Sequence, residues 1–384
     1  MNSIKLIAPC LFGLEKVLSR EIKELGYHIE KVEDGRITFL ADEYGICKSN
    51  LWLRTAERVM VKLGEFEAKS FEELFQNTKK IKWSNWIPKN GNFPVFKASS
   101  IKSNLSSVPD IQSIVKKAVV ESLKEEYNLE IFPETGEKYP IHVFINKNIV
   151  TLSIDTSGET LHKRGYREKS NKAPIRETLA AGLISLTPWR SNRLLVDPFC
   201  GSGTILIEAA MIALNMAPGL NREFVSEKWA KIPKKMWWDA RKEAYDLMVK
   251  DTDFMLYGYD IDKDVIEIAK ENAQIAGVDH CIKFIQKELK ELCIENNYGF
   301  IITNPPYGER LEDKKSVEKL YRDMGKIFSK LDTWSFFVIT SHPEFEALFG
   351  KSSDKKRKLY NGMLKTYFYQ YFGPKPNNKE SSNY

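Results

Sequence analysis

A chain of 384 residues is too long for one ordinary hydrophobic core and points to two or three domains. With 42% hydrophobic and 29% charged residues it has the balance of a soluble globular protein, and no apolar run is long enough to span a bilayer. A net charge of +6 permits a polyanionic partner without requiring one.

Residues 1–9 lack the apolar core and small-residue cleavage site of a secretory signal, so a cytoplasmic location is expected. The five cysteines (Cys10, Cys47, Cys200, Cys281 and Cys293) form no C-x-x-C pair, and their odd number argues against a disulfide framework. The five histidines are scattered. No metal is expected, and the thiols read as buried or incidental.

In chain order, residues 4–8 read as a strand. Leu14, Val17, Leu18, Ile22 and Leu25 then recur at helical spacing up to Gly26, a helix stop. Strands at 36–40 and 58–63, with a helix around 46–55, complete a small α+β unit. A strand at 95–98 opens a second unit. Its helix carries Ile111, Ile114, Val115, Ala118, Val119 and Leu123, with Asp110 as the expected cap. Segments 141–145 and 150–154 form a hairpin. Between 162 and 176, Lys163, Arg164, Arg167, Lys169, Lys172 and Arg176 face one acid, Glu168, which reads as the connector into a third domain.

The C-terminal half alternates strands (194–196, 255–259, 282–285, 300–302, 336–340) with helices (205–214, 264–276, 317–331). That pattern implies an α/β fold: an open, doubly wound, mostly parallel sheet covered on both faces. Asn361-Gly362, between segments 358–363 and 365–372, predicts a terminal antiparallel hairpin. Domains are expected at 1–60, 61–160 and 161–375, with a disordered polar tail at 376–384.

Four motifs carry chemistry. Asp197-Pro198-Phe199-Cys200-Gly201-Ser202-Gly203-Thr204 joins an apolar strand to an apolar helix. Its glycines let the backbone turn tightly and approach a ligand, and the helix start offers open amides. A dinucleotide pyrophosphate would want a third small residue where Leu206 stands, and it disfavours a leading carboxylate. Asp197 suits a cationic amino group instead, which selects S-adenosylmethionine over NAD. In the second motif, Tyr257 to Asp262, Asp260 ends a strand where its carboxylate can accept both ribose hydroxyls, with Ile261 beside it. Asp262 is expected to cap the next helix. An insertion at 215–253 separates these motifs. Its Trp229, Trp237 and Trp238 could stack on bases, but packing the insertion onto the doubly wound sheet is the favoured reading.

After the third strand, Gln286 and Glu288 stand where a side chain could meet the adenine amine, although Glu288 reads equally well as loop polarity. The fourth motif is Asn304-Pro305-Pro306-Tyr307-Gly308. An exocyclic base amine is a poor nucleophile because its lone pair is delocalised into the ring. The Asn304 amide oxygen and the Pro305 carbonyl could accept both N–H bonds and draw the lone pair toward a methyl sulfonium. Pro305 and Pro306 stiffen the backbone, and Tyr307 can stack on a flipped base.

With these residues in place, the chain resembles the bacterial THUMP-containing RNA methyltransferases. It is most similar to the guanine-N2 methyltransferases of large-subunit ribosomal RNA, often labelled N6-adenine-specific DNA methylases for their shared Asn-Pro-Pro-Tyr. The octet from Asp197 and the run from Asn304 to Leu311 carry the likeness, as does Ala173 to Leu179, which in the family leads into the catalytic domain near the methionine end of the cofactor. Residues 96–107 and the following helix resemble the THUMP module, an RNA-binding element that the family precedes with a ferredoxin-like unit. The family pattern expects an aspartate where Glu288 stands.

The resemblance implies a Rossmann-like methyltransferase domain behind a ferredoxin-like/THUMP region, with S-adenosyl-L-methionine as cofactor and ribosomal RNA as partner. Asn304, Pro305, Pro306 and Tyr307 would be catalytic. Asp197, Phe199, Gly201, Gly203, Thr204, Asp260, Ile261, Gln286, Glu288 and Asn304 would hold the cofactor. Competing readings are the same chemistry on transfer RNA, N6-adenine methylation of DNA, and an RNA-binding assembly factor without catalysis.

Overall fold

The structure is a computed structural model that describes residues 3–167, 175–250, 253–292, 294–308 and 311–376. Residues 377–384 of the expected tail, residues 168–174 of the basic run and Cys293 lie outside the described residues. Two compact units divide the chain. The first comprises residues up to Cys10, Ser19–Leu161 and Glu223–Glu243; the second comprises Leu11–Leu18, His162–Arg222 and the chain from Ala244 onward.

Up to residue 155 the elements are β1 (Ile4–Pro9), α1 (Glu15–Glu24), β2 (His28–Glu33), β3 (Arg36–Ala41), α2 (Glu43–Trp52), β4 (Met60–Glu67), α3 (Phe71–Lys79), β5 (Val95–Ile101), α4 (Val108–Tyr127), β6 (Ile141–Asn146) and β7 (Ile149–Asp155). The seven strands form one sheet in the order β2-β3-β1-β4-β7-β6-β5, antiparallel except for β5 beside β6. Sequence reading breaks this region near residue 60, whereas the hydrogen bonding runs through it. β4 pairs with β1 on one edge and with β7 on the other. Lys147 and Asn148, both at positive φ, form the two-residue turn of the β6–β7 hairpin.

α4 begins two residues before the expected cap. Ser107 holds the N-cap position and Pro109 sits in the first turn, where its missing N–H costs nothing. Asp110 is therefore a first-turn acid near the helix's positive end, and not its cap.

The insertion corrects a second expectation. Its residues 223–243 belong to the first unit and not to the doubly wound sheet. Trp229 stacks on Tyr139 at 4.7 Å between centroids, meets Trp86 edgewise, and donates its indole N–H to the Lys138 carbonyl at 2.8 Å. Trp237 stacks on Phe224. For Trp229 the Lys138 carbonyl supplies the acceptor that a buried indole N–H needs.

The remaining elements are α5 (Glu177–Ser185), β8 (Leu195–Asp197), α6 (Thr204–Ala213), α7 (Lys234–Asp246), β9 (Leu256–Asp260), α8 (Lys263–Ala276), β10 (Ile282–Gln286), β11 (Phe300–Thr303), α9 (Leu311–Phe328), β12 (Ser335–Thr340), α10 (Phe345–Phe349), β13 (Lys355–Asn361) and β14 (Leu364–Tyr371). The second sheet has the order β10-β9-β8-β11-β12-β14-β13. Its first five strands run parallel, and β14 is antiparallel to both neighbours. This is the predicted α/β, Rossmann-like sheet with its terminal hairpin. The turn lies one residue later than expected: Asn361 pairs with Leu364, so the loop is Gly362-Met363, with Gly362 at φ +62°. On one side of the sheet Tyr321, Phe328, Phe345 and Tyr369 build a buried aromatic core. Among the described residues no helix is long and apolar enough to cross a membrane.

Candidate active site

In an open parallel sheet, a crevice forms at the carboxyl ends of the strands where the strand order reverses. Here the reversal is at β8, which pairs with β9 on one side and β11 on the other. A cavity of about 1120 Å³ lies there, lined by the loop after β8, by Asp260 and Ile261, by Asn304 through Gly308, and by the hairpin tip. A second hollow of about 600 Å³, around Phe328, Trp334 and Phe349, holds none of the motif residues.

Hydrogen bonds tie the motifs together. Asp197 Oδ1 accepts from the Phe199 amide at 3.1 Å and from the Thr303 hydroxyl at 2.6 Å. Asp260 accepts from the Gly201 amide at 3.1 Å and, through its other oxygen, from the Asp262 amide at 3.0 Å. Asp262 caps α8, accepting from the amides of Asp264 and Val265. The loop after β8 is thus anchored on two carboxylates from different strands. Burial pushes Asp197 up to about 7; the donors from Thr303 and Phe199 pull it down, and the nearby Asp260 charge pushes further upward.

The two glycines of the octet have different work. Gly201, at φ +52°, lines the cavity and has open space where a Cβ would stand. Gly203 does not line it. A Cβ there would sit 2.8 Å from the Phe284 ring and 3.2 Å from Ala269, so Gly203 lets α6 press against the sheet. Phe199, Thr204, Ile261 and Glu288 line the cavity, whereas Gln286 is outside its lining and donates to the Ile261 carbonyl at 3.1 Å.

Asn304 follows β11 directly, one residue after the threonine that bonds Asp197. The Tyr307 hydroxyl donates to Asn304 Oδ1, the oxygen that sequence reasoning reserves for the base amine. A base using that acceptor must turn or share Tyr307. Tyr321, buried in α9, donates to the Pro306 carbonyl at 2.7 Å and pairs with the Thr340 hydroxyl, which fixes the loop from beneath.

Sequence reasoning missed Thr303, Tyr321 and a buried polar cluster under the loop. Arg167 bonds Glu177 at 2.9 Å, the Ile175 carbonyl at 2.9 Å and the Thr204 hydroxyl at 3.3 Å. Tyr166 donates to Glu208 at 3.1 Å, and Arg164 lies 3.5 Å from the same carboxylate. Burial raises Glu177, and Arg167 opposes the rise. A signal was present: Glu208 is a lone acid inside the apolar run Ile205 to Met211. The basic stretch that reads as a domain connector therefore contributes the buried Arg164 and the half-buried Arg167 to this cluster.

Residues 164–370 match the RMKL-like methyltransferase domain, residues 5–60 the RlmL ferredoxin-like domain, and residues 68–155 the THUMP domain. YpsC of Bacillus subtilis (strain 168), an RNA methyltransferase by name, is 47% identical over the full length of both chains. Ribosomal RNA large subunit methyltransferase K/L of Cellvibrio japonicus (strain Ueda107) is 33% identical over 93% of this chain and 49% of its own. The solved structure of SMU.472, a methyltransferase by name and complexed with SAH, is 41% identical over 98% of this chain and all of its own, with a TM-score of 0.92.

Proposed function

The chain belongs to the family of RMKL-like methyltransferases, and from that premise we propose that it transfers a methyl group from S-adenosylmethionine to the N2 amine of a guanine in large-subunit ribosomal RNA. One observation carries the reading. The acid at the head of the glycine loop and the Asn-Pro-Pro-Tyr loop are joined through Thr303, so the cofactor site and the amine acceptors share one cavity.

The residues present fit the cofactor. Gly201 leaves room for close approach, Asp260 can add ribose hydroxyls to its two backbone donors, and Asp197 is a buried acid whose described partners are neutral. When bound, S-adenosylmethionine supplies an electrophilic methyl on a sulfonium. Asn304 Oδ1 and the Pro305 carbonyl orient the base amine, and Tyr307 stacks on the base once its hydroxyl leaves Asn304. The THUMP match at 68–155 supports an RNA partner over DNA. Nucleoside mass spectrometry of ribosomal and transfer RNA from a deletion strain tests the proposal. Loss of N2-methylguanosine from large-subunit RNA, restored by the purified protein with S-adenosylmethionine, is the expected result. Loss from transfer RNA alone, or loss of N6-methyladenine from DNA, overturns the substrate assignment.

A further inference from the structure

The β13–β14 hairpin carries Lys355, Lys356, Arg357, Lys358 and Lys365 and no acid between residues 355 and 371. β13 is the edge strand of its sheet. The register sets Lys356 opposite Tyr369, Lys358 opposite Tyr367 and Tyr360 opposite Lys365, so these six side chains share one face. On it, cations and rings interleave. Lys356 lies 4.6 Å from the Tyr367 centroid, Lys365 lies 5.2 Å from the same ring, and Lys358 lies 5.3 Å from Tyr360. Phe12, 55% exposed, meets Tyr360 edge-on and extends the row, because Gly13 lets its segment approach the Lys358 carbonyl. Glu346 stands near this face, 3.3 Å from Lys356.

The row leads to the active site. Asn361, Gly362 and Leu364 at the hairpin tip line the same cavity as Asn304 and Tyr307. Tyr369, on the row's own face, packs into the aromatic core with Tyr321 of α9, and Ser316 and Lys319 of that helix wall the cavity. From Lys356 to Asn361 the strand covers about 17 Å. Exposed lysines on an edge strand also discourage pairing with other chains, but that purpose needs neither the interleaved rings nor continuity with the cavity.

We propose that this face of the hairpin is a track for the single-stranded RNA flanking the target base. Lys356, Lys358 and Lys365 take phosphates, and Tyr360 and Phe12 offer stacking surfaces for neighbouring bases. The assignment rests on the RNA reading of the site and adds a contact surface on the catalytic unit to the N-terminal module.

The test uses the full chain and a fluorescein-labelled twelve-residue oligouridylate, beside calorimetry with S-adenosylhomocysteine. For K356Q/K358Q/K365Q, oligouridylate affinity should fall about tenfold or more at low salt, and the slope of log affinity against log salt should become shallower by about 2. Tyr360→Ala should cost about fivefold or more, with Tyr360→Phe restoring it. Unchanged S-adenosylhomocysteine affinity shows that the variants are folded. Unchanged oligouridylate affinity and salt slope in the triple variant overturn the track and leave the lysines as edge protection, and so does a wild-type protein that does not bind the oligomer. Methylation of ribosomal RNA by the wild type is scored separately. Its failure counts against the proposed substrate, whereas an unaltered triple variant counts against the track alone.

Discussion

Two buried aspartates, one in each unit, show how differently the same side chain can be used. Asp155 closes β7 in the N-terminal unit, where Arg58 pairs with it and the amides of Ser157 and Gly158 donate to it. Nearby His142 is driven down to about 3 by burial and so remains neutral. Asp197 closes β8 in the catalytic unit and receives one hydroxyl and one amide, with no cation among its described partners. Asp155 has its counter-charge built in. Asp197 holds an unmatched carboxyl at the wall of a cavity, an arrangement that the proposed cationic ligand would complete.

The largest way to test this contrast is to remove the built-in partner. Arg58→Ala leaves Asp155 buried without its cation and should cost about 3–5 kcal/mol of stability in urea unfolding. A loss below about 1 kcal/mol would show that the pair is dispensable. Asn304→Ala acts on the other side of the comparison: the fold and cofactor affinity should persist while single-turnover methylation falls about 10²–10³-fold, the cost of losing one preorganised acceptor. Full activity in that variant would sink the mechanism, and lost cofactor binding would reassign Asn304 to the cofactor pocket.

Asp260→Ala should weaken S-adenosylhomocysteine binding by about 1.5–3 kcal/mol, as expected for hydrogen bonds to a charged group. If calorimetry finds no change, the ribose lies elsewhere. A smaller effect is expected from pH. Because Asp197 sits at about 7 in the folded protein, above an ordinary carboxyl, the stability linked to its protonation is full below about pH 4 and is lost as pH rises through about 7. An ammonium group needs the ionised form, so S-adenosylhomocysteine affinity should fall by up to about tenfold per unit as pH drops below about 7. Asp197→Asn should flatten both profiles; an unaltered affinity profile in that variant would acquit Asp197. Smallest should be Tyr307→Phe, which keeps the ring and frees Asn304 Oδ1, whereas Tyr307→Ala should be severe. Equal losses in the two would mean that the hydroxyl, and not the ring, is what matters.

Much of the site is readable along the chain because its parts are local. The octet from Asp197, the acid at Asp260 and the Asn-Pro-Pro-Tyr run each follow a strand within a few residues, and the Asp262 cap is a two-residue interaction. The misreadings share a different origin. Asp110 looked like a cap because capping residues and first-turn acids are the same amino acids, and Pro109 decided between them. The tryptophans of the insertion looked like sheet packing because no periodicity names a partner 91 residues away, the separation of Trp229 from Lys138.

By itself, the sequence determined what depends on neighbours: the alternation that makes a doubly wound sheet, the glycine that allows a loop to open at φ +52°, and the order of acids and amide along the strand ends. Tertiary structure alone decided that Thr303 meets Asp197 across 106 residues, that Gly203 serves packing, that Glu208 is held by Tyr166 and Arg164, and that strands from both sides of residue 60 form one sheet. The reason is physical. A turn or cap is set by dihedral preferences within a few residues, whereas a buried polar group is satisfied by whichever donor the packed core brings to it, at any distance along the chain.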